Sequence, residues 1–241
     1  MLEFEKFIQE LLEAEEINYF LLDKDEDGKT IYPINQSDIS RTNYLKNIWS
    51  NLRNLQWEIT RLNDVEIYFS IDKIPVNHSN EIYYLDYYRY HYEYFRIKSI
   101  SILDYLILFI NHCLQMGIVE RKCNIYSITE NTILKESSLV QNLKKFDQEI
   151  LPLRKERNYI IHKGTFEPKF MESLNDIVID IEMNFVDKNE TEKTELKKKE
   201  IKKAIEHFKN EIKMINRNVE KILNDLIPYI RKQNKFFKLS D

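Results

Sequence analysis

Arg157 and His162 stand five positions apart in the run RNYIIHKG, residues 157–164, with Asn158 directly after the arginine and Gly164 closing the run. A histidine exchanges a proton near neutral pH. A guanidinium keeps its charge and can hold a phosphoryl group through paired donors. The pair is a minimal kit for cutting RNA without a metal: one group to move the proton of the ribose 2′-OH, one to stabilise charge on phosphorus. On a helix, residues five apart differ by about 140° in azimuth, so Arg157 and His162 share no strict face. Asn158 and His162, four apart, do share one, and Asn158 is placed to hydrogen-bond the imidazole and fix its tautomer. Gly164 puts His162 in the last turn of its helix, where the dipole favours a cation. Arg154, Lys155 and Lys163 add positive charge around the run and suit phosphate binding, although a solvated basic turn explains them equally. On composition alone, a structural arginine beside a surface histidine remains a competing reading.

The elements that must position these residues are helical. Only Gly28, Gly117 and Gly164 occur among 241 residues, with five prolines, and a chain so poor in turn residues reads as long helices with few connections. Helical spacing predicts a first helix over Leu2–Ile17, a second from Ser37 or Ser40 to Leu62, and a long one from Glu81 to Met116 capped at Gly117. The first half of the long helix carries tyrosines 83, 84, 87, 88, 90, 92 and 94, and its second half is nearly apolar all round. These tyrosines suit core and dimer packing better than base stacking. VEIYFSI, residues 65–71, alternates weakly and reads as a short strand, a loop or a helical turn. Cys123–Ser137 reads as a connector, Ser138–Ile150 as a helix, and Pro152 as a restart into the helix that bears the motif. Pro168 opens a helix to about Phe185. Lys188–Lys199 is a charged linker or exposed helix start, and Glu200–Phe237 is a last amphipathic helix. The expectation is an all-α bundle of five to seven helices, divided as an N-terminal helical segment (1–80), a core with the motif (81–185), and a C-terminal charged linker and helix (186–241).

Asp104 interrupts the apolar half of the long helix, where a buried carboxylate needs a partner: Arg157 or His162 across the bundle, or a structural salt bridge to Arg96 or another residue. Ser99 and Asn111 are weaker candidates of the same kind. The net charge of −4 argues against a protein that coats nucleic acid. DKDEDG, residues 23–28, resembles the start of a calcium loop but lacks the glutamate that such a loop needs, and Cys113 and Cys123 form no zinc pattern, so no metal or other cofactor is expected. The two cysteines are expected to be reduced thiols. The acidic N-terminus has no signal-peptide layout and the longest apolar run is too short to span a bilayer, which points to a cytoplasmic protein away from membranes.

RNYIIH resembles the R-x4-6-H signature of the HEPN superfamily (higher eukaryotes and prokaryotes nucleotide-binding), in the form with a polar residue after the arginine, and within it the Cthe2314-like subgroup. The resemblance is sharp over residues 81–185. It implies an all-α bundle, a homodimer in which two motifs line one cleft, and metal-independent cleavage of RNA, single-stranded by preference, in a toxin or antiviral setting with an antitoxin as a further partner. Carried over by position, Arg157 and His162 are the catalytic pair and Asn158 the polar companion. Members paired with nucleotidyltransferase antitoxins carry a tyrosine two positions after the motif histidine. Gly164 stands there, so the resemblance does not extend to tyrosine adenylylation. The alternative is a non-catalytic dimeric module that binds nucleotide or protein.

Overall fold

The computed structural model describes residues 6–7, 10, 36–71, 84–132, 134–164, 168–182 and 190–239. The described helices are α1 (Gln36–Leu62), α2 (Asp64–Phe69), α3 (Tyr84–Cys113), α4 (Ile125–Thr129), α5 (Ser138–Glu149), α6 (Leu151–Lys163), α7 (Lys169–Glu182) and α8 (Glu190–Leu239), with a 3-10 turn at Glu120–Lys122. Six of them run to twelve residues or more, and no strand occurs among the described residues, so the chain is all-α as expected. Of the first expected helix, Lys6, Phe7 and Glu10 are described and helical; the DKDEDG run lies outside the described residues. No helix among the described residues is long and apolar enough to cross a membrane.

The chain forms two compact units. The first takes Met1–Trp57, Leu103–Gln148 and Asn216–Asp241; the second takes Glu58–Ile102 and Glu149–Ile215. In the first unit, Leu45, Ile48, Leu52 and Leu55 of α1 are buried at three- and four-residue spacing, which is the apolar stripe read from the sequence. Leu106, Ile110 and Cys113 of α3, Leu139, Leu143 and Phe146 of α5, and Ile222, Leu223 and Leu226 of α8 are buried as well. Polar ties fix the register: the Tyr44 hydroxyl donates to the Cys113 carbonyl at 2.7 Å, and Asp225 accepts from Ser138 at 2.8 Å and from Asn142 at 2.7 Å. Both cysteines are free thiols.

In the second unit, Phe208 of α8 is the aromatic hub, with ring centroids 4.8 Å from Phe95, 5.0 Å from Phe69 and 6.2 Å from Tyr92. The run at residues 65–71 supplies α2 rather than a strand: Val65 and Phe69, one turn apart, are its buried residues, and Asp64 and Glu66 suit the positive end of its dipole. Among the tyrosines, Tyr88 and Tyr92 are buried while Tyr90 is exposed, so packing takes the inner pair.

Of the two readings of Lys188–Lys199, the exposed helix start is the one its described residues take: Glu190 onward is helical, because its glutamates and lysines are good helix formers, and α8 runs for 50 residues. One boundary differs from expectation: at the C-terminal end of α3, the cap is not Gly117. The helix stops at Cys113, and Met116 N–H donates to Asn111 O at 3.1 Å while Gln115 N–H donates to His112 O at 3.2 Å. That is a Schellman closure with Gln115 in the left-handed position, at φ 49°. A side chain there costs about 1–2 kcal/mol where glycine would cost nothing comparable.

Because Phe208 packs against the rings of Phe69, Tyr92 and Phe95 and is fully buried, Phe208→Ala is expected to destabilise the protein by about 3–5 kcal/mol, read as a lower urea midpoint at unchanged slope.

Candidate active-site helix

The motif lies on α6, and the local sequence explains where that helix begins and ends. Pro152 in its first turn has no N–H to donate, a position where none is needed. At the other end Gly164 N–H donates to Ile160 O at 3.2 Å, and Gly164 sits at φ 94°, a conformation that L side chains rarely adopt. Only Leu153 and Ile160 of α6 are buried, and being seven apart they define one narrow inner stripe. At 100° per residue Glu156 falls beside that stripe, Arg157 on its flank, and Leu151, Lys155, Asn158 and His162 on the opposite side. All four of the latter are exposed. Leu151, Tyr159 and Ile161 are 44%, 43% and 51% exposed, so apolar area is interleaved with the polar motif residues.

Arg157 is half-buried, and Asn158 and His162 are exposed. No hydrogen bond or ion pair engages the side chain of any of the three among the described residues, so the expected side-chain bond between Asn158 and His162 is absent; in open solvent water competes for both groups. Lys155 and Lys163 are exposed, and Lys163 Nζ lies 5.6 Å from the centroid of the Tyr159 ring. Arg154 is half-buried and already engaged within the protein. Asp104 departs from expectation in its burial, although it is engaged within the protein. It is exposed, on a solvent-facing strip of α3 beside exposed Tyr105, so no desolvation cost demands a buried partner. It belongs to the first unit, whereas Arg157 and His162 belong to the second. Ser99 is buried and donates to the Phe95 carbonyl at 2.8 Å. Asn111 is spent on the chain itself, donating to Ile118 O at 2.8 Å and accepting from Ile118 N–H at 3.2 Å. Among the described residues no group of three His, Cys, Asp or Glu side chains could hold a metal ion.

What holds α6 in place is a buried charge network that the sequence reading did not find. Arg96 of α3 is 1% exposed. Its Nε lies 2.6 Å from Glu156 Oε2, and its Nη1 lies 2.5 Å from Glu211 Oε2. The Tyr92 hydroxyl accepts from Arg96 Nε at 2.9 Å and donates to Glu156 Oε2 at 2.5 Å. His207 Nε2 closes the far side at 3.1 Å from Glu211 Oε1. The available signal was the position of Arg96, one turn from Tyr92 on the inner side of a largely buried helix, where a cation must find carboxylates.

The electrostatics follow from this geometry. Burial alone would favour a neutral guanidinium, but Glu211, Tyr92 and Glu156 outweigh it and hold Arg96 above its ordinary pKa. Burial pushes the Tyr92 phenol up, so it is the proton donor to Glu156. Burial also works against the Glu211 carboxylate, yet the His207 hydrogen bond and Arg96 pull it below the usual carboxylate range. The same hydrogen bond to Glu211 raises His207 above 6.5 against partial burial. Glu156 immediately precedes Arg157, so the clamp fixes the rotation of α6 and therefore which residues face outward.

Tyr92→Phe removes hydrogen bonds to two charged groups and is expected to cost about 1.5–3 kcal/mol in urea denaturation. His207 is raised on folding, so its contribution to stability is complete below pH 6.5 and disappears as the pH climbs through the higher folded value. Stability should fall over that interval, and His207→Gln should flatten the slope in denaturation curves taken at a series of pH values.

Comparison with known proteins places the chain. No curated protein and no solved structure matches it. The family described as Cthe2314-like HEPN matches residues 44–226, which include α6 with its motif and every member of the Arg96 network. The chain therefore belongs to the Cthe2314-like HEPN family.

Proposed function

We propose that this protein is a metal-independent endoribonuclease that acts as a homodimer on single-stranded RNA, with Arg157 and His162 as its catalytic pair. The observation that carries the reading is the outward face of α6. It presents Asn158 and His162 to solvent with Arg157 at its flank, on a helix whose rotation is fixed from behind by Glu156. Exposed Leu151, Tyr159 and Ile161 on the same helix supply apolar area for a second copy. Lys155 and Lys163 leave cations free to attract a phosphate backbone despite the acidic net charge.

In the proposed reaction His162 of one copy takes the proton from a ribose 2′-OH, whose oxygen attacks the adjacent phosphorus. Arg157 stabilises the negative charge that develops on the phosphorane oxygens. The partner copy's histidine protonates the departing 5′-oxygen, because one imidazole cannot serve as base and acid at once. The products are a 2′,3′-cyclic phosphate and a 5′-OH. DNA lacks the attacking hydroxyl and survives. A toxin or antiviral role, held in check by an antitoxin, accords with such an activity.

The test is cleavage of end-labelled single-stranded RNA in EDTA. Wild type is expected to cut and leave cyclic phosphate ends, and His162→Ala, folded to the same thermal midpoint, to be slower by about 10²–10⁴-fold. No cutting across several RNAs would overturn the reading in favour of a module that binds nucleotide or protein without turnover. Equal cutting by both proteins would place the site elsewhere.

A further inference from the structure

A second feature belongs to the first unit and takes no part in the proposed cleavage. A pocket of about 630 Å³ opens between α1 and the C-terminal end of α3. That size lies within the range of small-molecule sites. Its lining includes Asn43 and Asn47, one turn apart on α1, and His112 and Gln115 at the end of α3. None of these four side chains has a hydrogen-bond or ion-pair partner among the described residues. Behind them Tyr44 and Asn111 are buried and committed to the protein, Tyr44 to the Cys113 carbonyl and Asn111 to both backbone groups of Ile118. The buried groups of the wall are thus satisfied within the protein, and the four other side chains are unengaged among the described residues.

The chemistry of the lining selects the ligand. It holds no carboxylate, lysine or arginine, so nothing in it recommends a charged group. Three carboxamides each offer a donor and an acceptor side by side, the arrangement that pairs with the edge of a nucleobase. His112, half-buried, contributes a ring. Gln115 supplies an independent observation. It occupies the left-handed position of the helix cap, where glycine is the unstrained choice, and it lines the pocket. The structure keeps a side chain at a position that disfavours one, as is common where a side chain serves a site.

We infer that this pocket binds a nucleobase, presented either by a free ribonucleoside or by an unstacked base of an RNA strand, with Gln115 and Asn47 reading its edge. The inference does not depend on cleavage, and its test measures binding alone.

The four ribonucleosides would be titrated separately by calorimetry, with glucose and inorganic phosphate as counter-probes. Short oligoribonucleotides of each base would be titrated in a His162→Ala background. The variant is Gln115→Gly, which relieves the left-handed strain, so its thermal midpoint should not fall. Binding of one ribonucleoside, weakened at least tenfold by Gln115→Gly, is the expected result and identifies a free ligand. Binding of an oligoribonucleotide but not its nucleoside, with the same loss in Gln115→Gly, identifies an RNA base as the source. Absence of binding by every nucleoside and oligonucleotide would overturn the inference. So would binding that Gln115→Gly or Asn47→Ala leaves unchanged, or equal binding of glucose or phosphate.

Discussion

A guanidinium removed from water must be surrounded by anions, and Arg96 meets that demand with carboxylates from two different helices. Glu211 brings α8 to it and Glu156 brings α6, with the Tyr92 hydroxyl bridging the second contact. Removing one partner of such a group typically costs about 3–5 kcal/mol, because the charge left behind has no solvent. An apolar substitute could hold the same volume, but it would not fix the angular position of α6. The buried stripe of that helix is only Leu153 and Ile160, too narrow to define rotation by packing alone. The ion pair supplies the missing constraint one residue before Arg157.

That constraint gives the motif its character. A helix turned by half a circle would bury His162 and expose Ile160. With Glu156 held inward, Asn158, His162 and Leu151 share the solvent side, and Arg157, Tyr159 and Ile161 stand at its flanks. Neither a purely solvated helix nor a core helix needs this mixture. It is the mixture that the proposed function draws on. The positive charge available there is local, Lys155 and Lys163 within a chain of net charge −4, so in that proposal RNA meets a small cationic patch and not a coating surface.

Much of this was legible in the sequence. The i, i+3, i+4 stripe of α1, the restart at Pro152 and the stop at Gly164 each follow from local chemistry, and each stands where expected. Other features depended on neighbours that a local reading does not see. Asp104 reads as buried when its apolar flanks are averaged, yet its own azimuth on α3 faces solvent. In the sequence Arg96 shows no partner but nearby Asp104, since the two carboxylates it uses lie 60 and 115 positions away. The weak alternation at residues 65–71 concealed a single helical turn because Val65 and Phe69, four apart, fit either period. Gln115 defeats the rule that glycine marks a helix end: Gly117 was at hand, but the hydrogen bonds close two residues earlier.

The central claim is that two copies of the outward face of α6 form one ribonuclease cleft, each supplying a histidine. The most direct measurement is the RNA-cleavage rate of wild type mixed and reassembled with increasing proportions of His162→Ala at constant total protein. Paired histidines predict a rate that falls with the square of the wild-type fraction, because only dimers of two wild-type copies hold both base and acid. A rate that falls linearly would mean that each copy works alone and would contradict the account.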